Sequence, residues 1–223
     1  MSFVDDFFTT LQVYNDTFWP MILLTYVLGL VAVYLAGRKP RHSDKVVSAI
    51  LGVLWIWTGA VFCIAFYGPT EAEFLGVPMP GIWYVSGLLF VVQGFLFVVS
   101  GVLKSSLSFA VGGDGYSVVG ALMVLYALVI YPIIGFLTGH GYPRYPIFGV
   151  APCPVTIFTF GLLLWTDKHV PRLLVIIPLI WALMGVMAVV GLQIWADVGL
   201  LLSGLVGFPL VLRHNAKIRM HAA

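Results

Sequence analysis

The side chains with most chemical reach cluster around one step, Pro152-Cys153-Pro154. The prolines restrict the backbone on both sides, so a thiol is held at a fixed place just where a helix begins, at about Pro154. A thiol there offers two chemistries. Cys153 can act as a soft-metal ligand, with His140, Cys63 or Met79 completing the set. Alternatively, Cys63 and Cys153 form a disulfide, which an oxidising compartment permits. The inert alternative is a small buried residue, the commonest fate of a free cysteine. No Cys-x2-Cys or His-x3-His spacing supports a metal motif, and two cysteines are too few for a disulfide scaffold.

A second group comprises His140, Tyr142 and Arg144 in one loop and Glu71 and Glu73 in another. Arg144 either pairs with one of these acids and pins the loop, or serves as an anion-recognising fork at an outer face. A third group is uncharged: Thr25, Tyr26, Gln93, Thr156 and Thr159 lie within apolar runs and could line the path of a solute. Gln93 is the most telling, because a free amide inside lipid is costly. It either bonds a neighbouring helix or lines a cavity. Near the middle of these runs no Asp, Glu, Lys, Arg or His occurs, which argues against a proton-driven pump. No carboxylate pair or His-based constellation comes within reach of a shared site, so no catalytic residues are assigned and an enzyme is not expected.

The elements that position these groups follow from composition. Of 223 residues, 61% are hydrophobic and 9% charged, against about 25% charged in soluble domains. A water-facing surface cannot be made from so few charges, and lipid must be the solvent. Seven apolar runs read as transmembrane helices, at roughly 19–37, 46–67, 82–103, 117–138, 153–166, 171–191 and 195–212. The fifth is short and borrows from the Tyr145–Ala151 approach. Before them, residues 1–18 hold an amphipathic stretch with Phe7, Phe8, Leu11 and Tyr14 at helical spacing; it is too polar to span and is expected in the interface. Residues 213–223 read as a basic cytoplasmic tail. Acidic Asp5 and Asp6 stand where a signal peptide would need basic residues. No phosphate-binding loop or nucleic-acid patch is present.

Orientation follows from Lys and Arg. Arg38, Lys39, Arg41, Lys45, Lys104, Lys168, Arg172, Arg213, Lys217 and Arg219 fall on one side and Arg144 alone on the other. The first side is therefore cytoplasmic, the N-terminus outside and the C-terminus inside. Asp197 is counted among the outer-face acids. Gly87, Gly94 and Gly101 recur every seven residues, a smooth stripe for close helix packing.

Internal similarity suggests a duplication. Pro20-x4-Thr25-Tyr26 is echoed by Pro154-x4-Thr159-Phe160, Trp55-x3-Gly59 by Trp181-x3-Gly185, and Trp83-x3-Gly87 by Trp195-x3-Gly199. The expected order is a three-helix half (19–103), a linker helix (117–138) and a second half (153–212), related as parallel repeats. Pro20, Pro154 and Pro178 would then be candidate hinges. This architecture resembles that of the SWEET and PQ-loop carriers, although Met21 and Val155 stand where a Pro-Gln pair would need glutamine. Tyr14-Asn15, Trp19-Pro20 and above all Phe148-Gly-Val-Ala-Pro-Cys-Pro-Val-Thr-Ile-Phe-Thr-Phe-Gly-Leu-Leu-Leu164 resemble a bacterial family of integral membrane proteins of unknown function, some members of which carry a loose permease label.

The sequence thus reads as an all-α membrane protein of seven transmembrane helices in a bacterial cytoplasmic membrane. The expected function is a small uncoupled carrier or channel for a neutral or weakly polar solute. The alternative is an accessory or binding subunit that docks a membrane complex or a second copy, or holds a metal or pigment. The lipid bilayer and a small solute are the expected partners; nucleic acid is not.

Overall fold

The computed structural model describes residues 3–222. Helix α1 (Phe3–Thr17) is followed by α2 (Trp19–Arg38) and α3 (Ser43–Tyr67), whose second part, from Thr58, widens to π-helix. A small hairpin, β1 (Glu73–Phe74) against β2 (Val77–Pro78), leads to α4 (Ile82–Leu103). Then come α5 (Gly115–Leu137), α6 (Pro152–Leu163), α7 (Leu173–Leu192) and α8 (Asp197–Ala222). Six of these, α2, α3, α4, α5, α7 and α8, are long and apolar enough to cross a membrane. Large apolar side chains such as Leu23, Val27 and Leu30 on α2, or Leu183, Val186 and Val190 on α7, point outward and stay exposed. Lipid is the solvent that suits such a surface.

The seventh apolar helix differs. At 12 residues α6 is about 18 Å long, short of the ~30 Å hydrocarbon core, and every one of its residues is buried. It packs against α3, α5, α7 and α8. Gly120 on α5 and Gly161 on α6 let those backbones touch: a Cβ on Gly120 would stand 2.7 Å from the Gly161 carbonyl oxygen. Non-helical chain continues the buried path on both sides of α6. Residues 145–151 are buried before α6, and Trp165 and Thr166 are buried after it.

Buried non-helical backbone in an apolar bundle must find hydrogen-bond partners. Here other helices supply them. Asn15 Nδ2 donates to the carbonyls of Pro143 (2.6 Å) and Tyr145 (2.9 Å). Tyr14 Oη donates to Val150 O (2.9 Å) and accepts from Trp57 Nε1 (2.8 Å). Thr25 Oγ1 donates to Phe148 O (3.1 Å). Gly149 sits at φ +82° against Thr25, a position where a side chain would meet both strain and collision. Helix α1 therefore spends its apolar face on the protein: Phe7, Phe8, Leu11, Tyr14 and Asn15 are all buried. Burial also pushes the Tyr14 hydroxyl far above its ordinary pKa, so it remains a neutral donor.

These contacts define two ends of the bundle. One, the acidic end, gathers α1, the hairpin, the chain from Leu137 to Pro152 and the α7–α8 turn. The other, the basic end, gathers the chain between α2 and α3, residues 104–114, residues 164–172 and the last part of α8. At the basic end Lys39 pairs with Asp167, Asp44 Oδ1 accepts from Phe109 N (2.8 Å), and Phe109 bridges Thr166. Asp114 caps α5 through Ser117 N (3.0 Å) and pairs with Lys217 (3.7 Å). The Ser117 backbone N–H holds the Asp114 carboxyl below the ordinary range.

Residues 213–222, the basic segment, continue α8. No glycine or proline follows Pro209 to stop the helix, and buried Asn215 fastens it by bonding both the N–H and the carbonyl of Val170 (2.8 and 2.9 Å). The Gly87, Gly94 and Gly101 stripe does pack closely: Gly87 and Gly94 meet the backbone at Gly59 and Gly52 of α3, and Gly101 meets Ser48.

Candidate functional site

At the acidic end lies a pocket of about 100 Å³ between α1, the hairpin, α4, the start of α6 and the facing parts of α7 and α8. Its walls are almost wholly apolar, with Phe7, Phe62, Phe74, Trp83 and Trp181 as ring faces and Met79, Met184 and Met187 between them. Three lining residues carry a buried polar atom with no nitrogen or oxygen partner: Trp83 Nε1, Trp181 Nε1 and Asp197 Oδ2. Buried polar groups are normally paired, so three such atoms around one pocket are exceptional.

Asp197 is the centre of the arrangement. It is the first residue of α8 and is fully buried. Its Oδ1 accepts from Tyr131 Oη at 2.6 Å. The turn that presents it is locked, because Tyr126 Oη donates to Ala196 O (2.9 Å) and Gly199 leaves room for the Tyr126 ring. The Cys153 thiol lies against Asp197, Trp181 and Tyr131. A thiol is a weak hydrogen-bonding group and a poor substitute for a full partner. The α8 N-terminus favours negative charge at this position.

A wider polar groove of about 850 Å³ adjoins the pocket and shares Phe3, Phe7, Ala72 and Glu73 with it. Asp6, Thr9, Thr10, Thr70 and Glu71 line the rest of its course. Among the described residues no Lys, Arg or His lines either space.

A family model described as a family of unknown function (DUF6064) matches residues 4–222. The chain belongs to that family. No curated protein and no solved structure matches it.

In this DUF6064 chain the sequence candidates fall into separate places. Thr25, Gln93, Thr156 and Thr159 are fully buried between helices, and none of them lines the pocket. Thr156 donates to Pro152 O (2.8 Å); Thr159 donates to Val155 O (2.8 Å) and accepts from Trp55 Nε1 (2.9 Å). Tyr26 packs its ring on Phe148. Gln93 Nε2 donates to Leu174 O (3.0 Å). That carbonyl stands four residues before Pro178, whose ring has no N–H to offer it. Gln93 thus replaces the helix bond that Pro178 removes. Pro20 and Pro154 lie in the first turns of α2 and α6, where proline is at ease, while Pro178 is inside α7.

The candidate ligand set around Cys153 is not brought together. His140 stacks on Phe8, and among the described residues no group of three His, Cys, Asp or Glu could hold a metal. Cys63 and Cys153 are both buried as free thiols. Cys153 and Met79 do share the pocket, and Glu71 and Glu73 line the groove. Tyr142 is exposed, and Arg144 forms no ion pair with Glu71 or Glu73. The residue sequence reasoning missed is Asp197, taken for a water-facing acid. Its signal was present: an acid just after Trp195, inside the bounds of an apolar run.

Proposed function

We propose that the protein is a seven-crossing protein of a bacterial cytoplasmic membrane, acidic end outside, that binds a small and largely apolar solute in the pocket. The threading is supported by the basic end, which carries all Lys and Arg except Arg144, and by α6, which runs between the two ends as the long helices do. The binding reading is carried by the three unpartnered polar atoms around one apolar pocket. A small polar head that donates to Asp197 Oδ2 and accepts from the Trp83 or Trp181 N–H would satisfy them, and a few placed polar groups in an apolar cleft is the usual make-up of such sites.

Benzyl alcohol serves as a neutral probe. Calorimetric titration of the protein in detergent micelles should give saturable binding. Ala188→Phe, which fills the pocket from α7, should abolish it. Binding that is non-saturable, or unchanged in Ala188→Phe, contradicts the reading.

A carrier is the second reading, and one observation favours it. Every α7 residue that lines the pocket, from Trp181 to Leu192, lies beyond Pro178. Bending at that proline would move one wall of the pocket as a unit. Thr25, Tyr26, Gln93, Thr156 and Thr159 would then mark the onward path. Flux of the bound solute into proteoliposomes tests this: transport supports the carrier, and tight binding without transport supports a binding subunit.

A further inference from the structure

We infer that the solute is a small organic cation, a protonated amine on an apolar and preferably aromatic body. This rests on the pocket being a binding site and names what it selects. The first support is charge. Pocket and groove together are lined by Asp6, Glu71, Glu73 and Asp197, with no Lys, Arg or His among the described residues to offset them. Clefts of one sign with low-dielectric walls concentrate ligands of the opposite sign. The second support is Asp197 itself, fully buried and with Oδ2 unpartnered. A buried carboxylate needs a donor or a counter-charge, and an ammonium group supplies both; the Trp83 and Trp181 N–H groups need an acceptor instead, which must come from elsewhere on the ligand or from water.

The third support is the wall. Trp83, Trp181, Phe7 and Phe62 line the pocket, aromatic rings of the kind that attract a cation, and the neighbouring methionines adapt to an irregular apolar body. Dimensions agree. A cavity of ~150 Å³ holds benzene. The deep space of about 100 Å³ suits the ammonium end and part of a ring, with the remainder extending toward the groove. Inorganic cations fit less well. A hard cation needs about six oxygen ligands, and Asp197 is the one carboxylate deep in this apolar pocket. Anions meet the like charge of Asp6, Glu71, Glu73 and Asp197.

The test compares benzylammonium with benzyl alcohol, near in shape but differing in charge, at neutral pH by calorimetry on the full chain in micelles. Benzylammonium is expected to bind at least tenfold more tightly. Asp197→Asn should remove that advantage, bringing the affinity for benzylammonium down to within about twofold of that for benzyl alcohol in the same variant. Glu73→Gln, at the exposed mouth, should weaken benzylammonium two- to threefold at low salt and leave the alcohol unchanged; it keeps the test open if Asp197→Asn does not fold. Equal affinity for the two probes, or a cation preference that survives both substitutions, overturns the inference and leaves the pocket reading standing. Binding of neither probe overturns both.

Discussion

Gln93 and Pro178 make a pair whose energies can be separated. Pro178 deprives Leu174 O of its helix partner, and Gln93 Nε2 takes the vacancy at 3.0 Å. Gln93→Leu should leave a buried carbonyl unsatisfied, which costs about 1–3 kcal/mol; polar bonds between membrane helices average ~0.6 kcal/mol, and removing the unpartnered Gln93 Oε1 offsets part of the cost. A loss of about 1.5 kcal/mol is therefore expected, roughly a tenfold shift in the folding equilibrium. Pro178→Ala restores an N–H that can reach Leu174 O within α7. In that background Gln93→Leu should cost at most about 0.5 kcal/mol, since the carbonyl keeps its partner. The assay is reversible unfolding in mixed micelles, followed by circular dichroism, on the parent, both single variants and the double. An equal cost of Gln93→Leu in both backgrounds would refute the reasoning, because the amide would then not be serving the proline.

Tyr131→Phe removes the hydroxyl that donates to Asp197 and should cost about 1.5–3 kcal/mol by the same assay; in an Asp197→Leu background the cost should shrink by more than half. Asn15→Ala deletes two buried bonds to the chain before α6 and should lower stability by about 2 kcal/mol, with faster hydrogen exchange at residues 143–151. Asp114→Ala should cost about 1 kcal/mol through the lost cap, whereas Asp114→Ser should retain most of it. Because the folded pKa of Asp114 is lowered, its contribution is present above the unfolded value of about 3.9 and fades as pH falls through the lower folded value. The difference between parent and Asp114→Ala should therefore shrink in titrations carried below about pH 4.

The apolar runs were legible because lipid imposes length and composition on each helix separately. The glycine stripe on α4 was legible for a similar reason: a seven-residue period marks one helix face whatever the partner. Asp197 was not legible as a buried group. At a helix start an acid is ordinarily at home in water, and only the converging Tyr131, Cys153 and Trp181 reveal that water is excluded. The packing of α1 was hidden in the same way. Its moment predicts one apolar face but cannot say whether lipid or protein covers it; the chain from Pro143 to Val150, distant in sequence, decides that. Gln93 was open between a cavity and a helix bond; the bond it makes goes to a carbonyl freed by Pro178 on another helix, which its own run cannot show.

The most direct test of a pocket reached from the outer face is the modification of Cys153 in intact bacterial cells by a small cationic thiosulfonate. A Cys63→Ala chain confines the reaction to one thiol. The account predicts that Cys153, which lines the pocket, is modified from outside and is protected by benzylammonium. Modification only after the cytoplasmic face is exposed, or none from either face, would contradict it.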